Sequence, residues 1–93
     1  MADVQIVWDL ENDPDGNYWH IIVEGHGVTQ DEVEEVLRNP RNPADVSRTT
    51  GRFMTFGPTS TGQYIVVAWD LVSDDPKIIY PVTAYPVPEP RGN

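Results

Sequence analysis

The chain has 93 residues, 39% of them hydrophobic, with no cysteine, and its 15 acidic against 6 basic side chains give a formal charge of −9. That length makes one small domain with a modest core, and the missing thiols exclude disulfides, thiolate nucleophiles and thiolate metal centres. The negative field repels phosphate backbones, which argues against broad nucleic-acid binding, and no run of about 18 apolar residues offers a membrane span.

The opening segment MADVQIVWDL lacks the basic flank and long apolar stretch of a secretory signal, so a cytoplasmic location is expected. Within it, Val4 to Trp8 favours a short first strand or an N-terminal arm. The stretch DLENDPDGN that follows holds Pro14 and the Asp15-Gly16 pair, which suit a turn. Its Glu11, Asp13, Asp15 and Gly16 imitate the first half of a calcium loop. The pattern then fails, because the position for the closing bidentate glutamate is Ile22.

Tyr18 to Glu24 spaces Trp19, Ile22 and Val23 as a short helix ending before Gly25. A second helix is predicted over Gln30 to Arg38. Thr29 is its N-cap, Glu32 reaches back to the Thr29 N–H, and Val28 staples to Val33 across the cap. Asp31 and Glu32 also suit the positive end of the helix dipole. Val33, Val36 and Leu37 form the apolar stripe, with Glu34 and Glu35 facing water. Asn39-Pro40 ends the helix, and Pro40 to Thr50 reads as an exposed connection.

Three β segments close the domain. Phe53 to Phe56 is a strand, GPTSTG a hairpin loop, and Gln63 to Trp69 the most strand-like run and hence the central strand. A second turn around Ser73 to Pro76 leads to Ile78 to Tyr85, where Pro81 implies an edge position or a bulge. The expected fold is α+β: two short N-terminal helices packed on an antiparallel β-meander of three to four strands. Residues 1–85 make the single domain, and 86–93 a flexible proline-rich tail whose PVPEP segment suits an extended polyproline conformation.

The basic residues are unevenly placed. Arg38, Arg41, Arg48 and Arg52 lie close together, either as a local cationic patch or as surface balance for Glu32, Glu34 and Glu35. No nucleophile elbow, phosphate-cradling glycine loop or histidine pair at metal spacing is present, so no cofactor or metal is called for.

Trp8-Asp9, His26-Gly27-Val28, the helix DEVEEVL, the arginine-bearing loop and the strands TFGPTSTGQYIVVAW and IIYPVTAY together resemble the BrnT toxin family, over roughly Val7 to Tyr85. That resemblance implies a fold similar to the RelE toxins and a metal-independent ribonuclease held inactive by an antitoxin. It implies His26 as acid or base, Arg48 and Arg52 as phosphate holders, and Tyr85 or Tyr64 as the positioning hydroxyl. Tyr85 stands where the family carries a cation and Gly25 where it carries a lysine, which implies weakened or lost cleavage. The alternative from the charge is a non-catalytic protein-protein interaction module. Its partner would be an antitoxin or another basic protein, or a second copy in a homo-oligomer, with RNA a partner only under the ribonuclease reading.

Overall fold

The computed structural model describes residues 4–90. In chain order these form β1 (Gln5–Ile6), a π-helical turn (Trp19–Val23), α1 (Gln30–Arg38), β2 (Ala44–Val46), β3 (Phe53–Pro58), β4 (Tyr64–Asp74) and β5 (Lys77–Pro86). The five strands make one sheet in the order β1-β5-β4-β3-β2. Neighbours from β2 to β5 are antiparallel, whereas β1 lies parallel to β5.

This arrangement overturns the expected plan of two helices on an antiparallel meander of three to four strands. Strand residues outnumber helical ones among the described residues, the sheet is mixed, and α1 is the one helix longer than a turn. β1 falls within the short first strand or arm expected over Val4 to Trp8, whereas β2 is a strand where none is expected. β1 is two residues long and becomes a strand by pairing Gln5 with Ile78 and Ile6 with Ile79, extended by the Val7 N–H to the Ile79 carbonyl at 2.9 Å. β2, Ala-Asp-Val, is a weak strand former lying inside the expected exposed connection. It is framed by bonds from Phe56 N–H to Pro43 O (3.2 Å) and from Ser47 N–H to Arg52 O (2.8 Å). At β2 long-range pairing outweighs local preference, whereas at β1 it completes a strand that Val4 to Trp8 already favours.

The helix expected around Tyr18 to Glu24 is the five-residue π-helical turn, closed by the Glu24 N–H on the Trp19 carbonyl at 2.9 Å. It drives Ile21 into the core, 1% exposed. Gly25 permits the exit: a Cβ there would lie 1.6 Å from the Ile21 carbonyl oxygen, so any side chain would force the backbone to move.

α1 starts as its sequence prescribes. The Glu32 N–H donates to Thr29 Oγ1 at 3.1 Å and the Thr29 N–H donates to Glu32 Oε1 at 3.0 Å, closing the capping box. Asn39 is extended, as a residue before proline must be, and ends the helix. Val33, Val36 and Leu37 pack with Ile21 and Val28 against Ile65, Val67, Trp69, Ile79 and Ala84. Each such aliphatic side chain contributes about 1.5–3 kcal/mol by leaving water.

β4 runs further than the sequence suggests, through Leu71 to Asp74, leaving Asp75 and Pro76 as the connection to β5. Pro81 sits beside the register shift between Ala68 and Trp69, where its missing N–H costs no ladder bond, in accord with the expected bulge. β5 reaches Pro86, and the Val87 N–H donates to the Tyr64 carbonyl at 2.9 Å, so the segment read as a flexible tail begins on the sheet. Its last residues, 91–93, lie outside the described residues. No helix among the described residues is long and apolar enough to cross a membrane.

Candidate functional site

Alternation along a strand sends successive side chains to opposite faces. On β4, Ile65, Val67 and Trp69 enter the core under α1, so Tyr64, Val66, Ala68 and Asp70 point the other way. The register places Phe56 and Tyr85 either side of Val66, and Met54 and Thr83 either side of Ala68. Those residues form the centre of a second sheet face that no helix covers among the described residues. Phe56, Met54 and Tyr64 are half-buried, Tyr85 is exposed, and Val66 is sealed by its neighbours. A small sheet with one face on its core normally presents polar residues on the other. Here the uncovered face has an apolar middle.

Arg52 stands at the rim of this face, its Nε donating to Asp70 Oδ1 at 3.1 Å. Both side chains are nearly half exposed, so the pair orients the rim and contributes little stability. β2 closes one edge. Because Pro43 O and the Ser47 N–H face β3, the Val46 N–H faces outward, where the Asp45 carboxylate accepts from it at 2.8 Å. An edge donor is thereby kept from pairing with another chain.

The residues assigned to cleavage are divided between two places. His26 meets Tyr85 edge to face, ring centroids 6.2 Å apart, beside β5. Arg48 is exposed in the turn between β2 and β3, and Arg52 begins β3. Two strand spacings and four residues separate Arg52 from Tyr85, roughly 16 Å between backbones. Tyr64 lies on the uncovered face opposite Pro58. The arginines therefore do not converge with His26 and Tyr85 on one phosphate-sized position, although each pair shares a local neighbourhood. Nor do three His, Cys, Asp or Glu side chains come together at metal-binding spacing among the described residues.

Two polar centres escaped the reading of the sequence. Glu32, expected among the surface acids balanced by arginine, is 3% exposed. Its Oε2 accepts from Thr59 Oγ1 (3.0 Å), Thr61 Oγ1 (2.5 Å) and Gln63 Nε2 (3.0 Å), while Oε1 holds the Thr29 N–H. Burial alone would raise its pKa, but the donors from Thr61, Thr29, Gln63 and Thr59 together hold it down to about 2. The carboxylate thus ties the start of α1 to the β3–β4 loop. The one trace of it in the sequence is GPTSTGQ, whose Thr59, Thr61 and Gln63 supply side-chain donors at alternate positions. The surface-balance reading survives for Glu34, whose Oε1 pairs with Arg38 at 3.3 Å while its Oε2 accepts from Trp8 Nε1 at 2.8 Å.

The second centre is Asn17, 4% exposed. Its Nδ2 donates to the carbonyls of Val7 (2.9 Å) and Pro81 (3.0 Å), its Oδ1 accepts from the Asp9 N–H (2.9 Å), and its own N–H donates to Asp9 Oδ2 (2.9 Å). Tyr80 also donates its hydroxyl to Asp9 Oδ2. That bond and the Asn17 N–H lower the Asp9 pKa, and the same bond, with burial, pushes the Tyr80 phenol up to about 12. The phenol is therefore protonated at neutral pH and serves as a donor. Together these groups lock the polar loop after β1 onto β5.

No family model, curated protein or solved structure matches this chain. The reading of its function rests on its own geometry.

Proposed function

We propose that this chain is a non-catalytic interaction module that docks a basic protein on the uncovered face of its sheet. The supporting observation is the apolar centre of that face, Phe56 and Tyr85 flanking Val66, in a small domain whose other face is already packed under α1. Aromatic side chains left partly exposed on a sheet face, here Phe56, Tyr64 and Tyr85, favour an interaction site. The formal charge of −9 steers encounter toward a cationic partner and repels a second copy of the same chain.

The test is a purified binary complex. A basic protein captured by the chain is expected to bind it as an isolated pair, with an affinity that falls as salt rises. A Phe56→Lys/Tyr85→Lys variant with an unchanged melting curve is expected to bind at least about tenfold more weakly. Equal binding by that variant sinks the assignment, as does a folded chain that holds no partner once purified.

The BrnT-like ribonuclease is kept as a second reading because His26 and Tyr85 do meet. The two readings expect opposite outcomes in one experiment, and the non-catalytic one sets the expected result. On induced expression in a bacterial host, growth and RNA integrity are expected to be the same for the wild-type chain and for the Arg48→Ala/Arg52→Ala double variant, with RNA intact in both. Growth arrest with RNA loss that the double variant abolishes would establish cleavage and overturn the non-catalytic reading.

A further inference from the structure

We propose that the cleft between the C-terminal end of α1 and the packed face of the sheet binds a small organic carboxylate with an apolar body. The cleft has a volume of about 470 Å³, within the range of small-ligand sites. Leu37, Trp69, Ile79 and Val4 supply apolar walls. Its charged lining is Arg38 and Lys77, with no carboxylate, in a chain that carries 15 acids against 6 bases. This local reversal of charge selects an anion, and the walls select one with an apolar part.

Each polar group there is held in place with binding capacity left over. Lys77 Nζ lies 5.5 Å from the centroid of the Trp69 ring and forms no ion pair among the described residues. Trp69 is fixed in turn by stacking on Phe53, with centroids 4.7 Å apart, and by its Nε1–H donated to Thr55 Oγ1 at 2.9 Å. Thr55 is 6% exposed and lines the cleft. Its hydroxyl accepts from Trp69, while its own proton has no acceptor among the described residues. Arg38 uses one terminal nitrogen on the Val4 carbonyl and the other on Glu34, which anchors the guanidinium at the cleft with further N–H groups unused.

The carbonyls at the end of a helix would oppose an anion. That opposition is reduced here, because Asn42 Nδ2 already donates to the Val36 carbonyl at 2.9 Å. Asn42 reaches this position across Gly57, where a Cβ would lie 2.3 Å from its Nδ2. The glycine in β3 therefore leaves room for Asn42, which lines the cleft.

Benzoate is the probe, followed by amide chemical shifts in the uniformly ¹⁵N-labelled full chain, with benzamide and inorganic phosphate as controls. Saturable shifts are expected at Leu37, Thr55, Ile79 and the Trp69 indole N–H, with a dissociation constant near or below about 1 mM. Benzamide, of the same shape without the charge, is expected to bind about tenfold more weakly. Lys77→Met is expected to lose about tenfold in benzoate affinity while the rest of the spectrum is unchanged, and Arg38→Gln serves as an independent second variant. Absence of saturable shifts overturns the site, as does equal binding of benzamide. So does phosphate binding as tightly as benzoate, since the apolar walls would then contribute nothing. Benzoate binding that both variants leave unchanged has the same effect.

Discussion

Glu32→Ala is expected to lower stability at neutral pH by about 3 kcal/mol, a fall in melting temperature of roughly 15 °C for a domain of this size. The alanine removes the acceptor for four donors at once, and Thr59, with its partners in the β3–β4 loop, is left facing a buried gap. Thermal or denaturant unfolding measures the loss. Glu32→Gln separates charge from shape, because its amide keeps one acceptor but turns an N–H toward hydroxyls and an amide that already donate. A Glu32→Ala variant as stable as the wild type would show that the loop docks on α1 without the carboxylate.

The same carboxylate sets a pH dependence whose sign follows from its lowered pKa. Free glutamate in the unfolded chain titrates near 4.5 and the folded group near 2, so between those values the unfolded state binds more protons. Its contribution is complete above about pH 4.5 and is lost as pH falls toward about 2, on the order of 3 kcal/mol in all. Other acids titrate in the same range. The quantity to measure is therefore the difference between wild type and Glu32→Gln, which is expected to shrink across that window and to be flat above it.

Asn17→Ala is expected to cost a similar amount, about 3 kcal/mol, because three side-chain hydrogen bonds vanish and the Pro81 carbonyl and the Asp9 N–H lose their partners. Asn17→Asp is the sharper test. It turns a carboxylate oxygen toward the Val7 and Pro81 carbonyls in place of an NH₂ and puts a second acid next to Asp9. Its folded-state pKa is consequently raised, so the added penalty is full at neutral pH and is relieved as the group is protonated. At neutral pH Asn17→Asp is expected to unfold at a lower denaturant concentration than Asn17→Ala, with the gap closing in acid. An aspartate variant as stable as wild type would mean that the loop after β1 is not held to β5 through this side chain.

Both centres lie on contacts between segments far apart in the chain, and this decides what could be read without a fold. Thr29 and Glu32 are three residues apart, so their capping box was legible. The further donors to Glu32 come from residues 27 to 31 positions away, and nothing near Glu32 announces them. The same holds for the arginines. The family resemblance grouped Arg48 and Arg52 with His26 and Tyr85 in one site, but β3 and β5 are separated by β4, and the register carries Arg52 away from Tyr85. The cleft at the end of α1 was invisible for the same reason, since Arg38, Trp69 and Lys77 meet only through the sheet.

By itself the sequence determined α1 and its two ends, the helical turn before Gly25, the hairpin at GPTSTG and the central, apolar β4, because caps, periodicity and turn chemistry act within a few residues. The tertiary structure alone decided that Ala44–Val46 is a strand, that Gln5–Ile6 pairs parallel to β5, that the sheet is mixed and five-stranded, and that no helix covers its second face among the described residues. Those features come from pairing between distant segments. A three-residue edge strand such as β2 gains its hydrogen bonds only from a neighbour already in place, and its own residues carry no pattern strong enough to declare it.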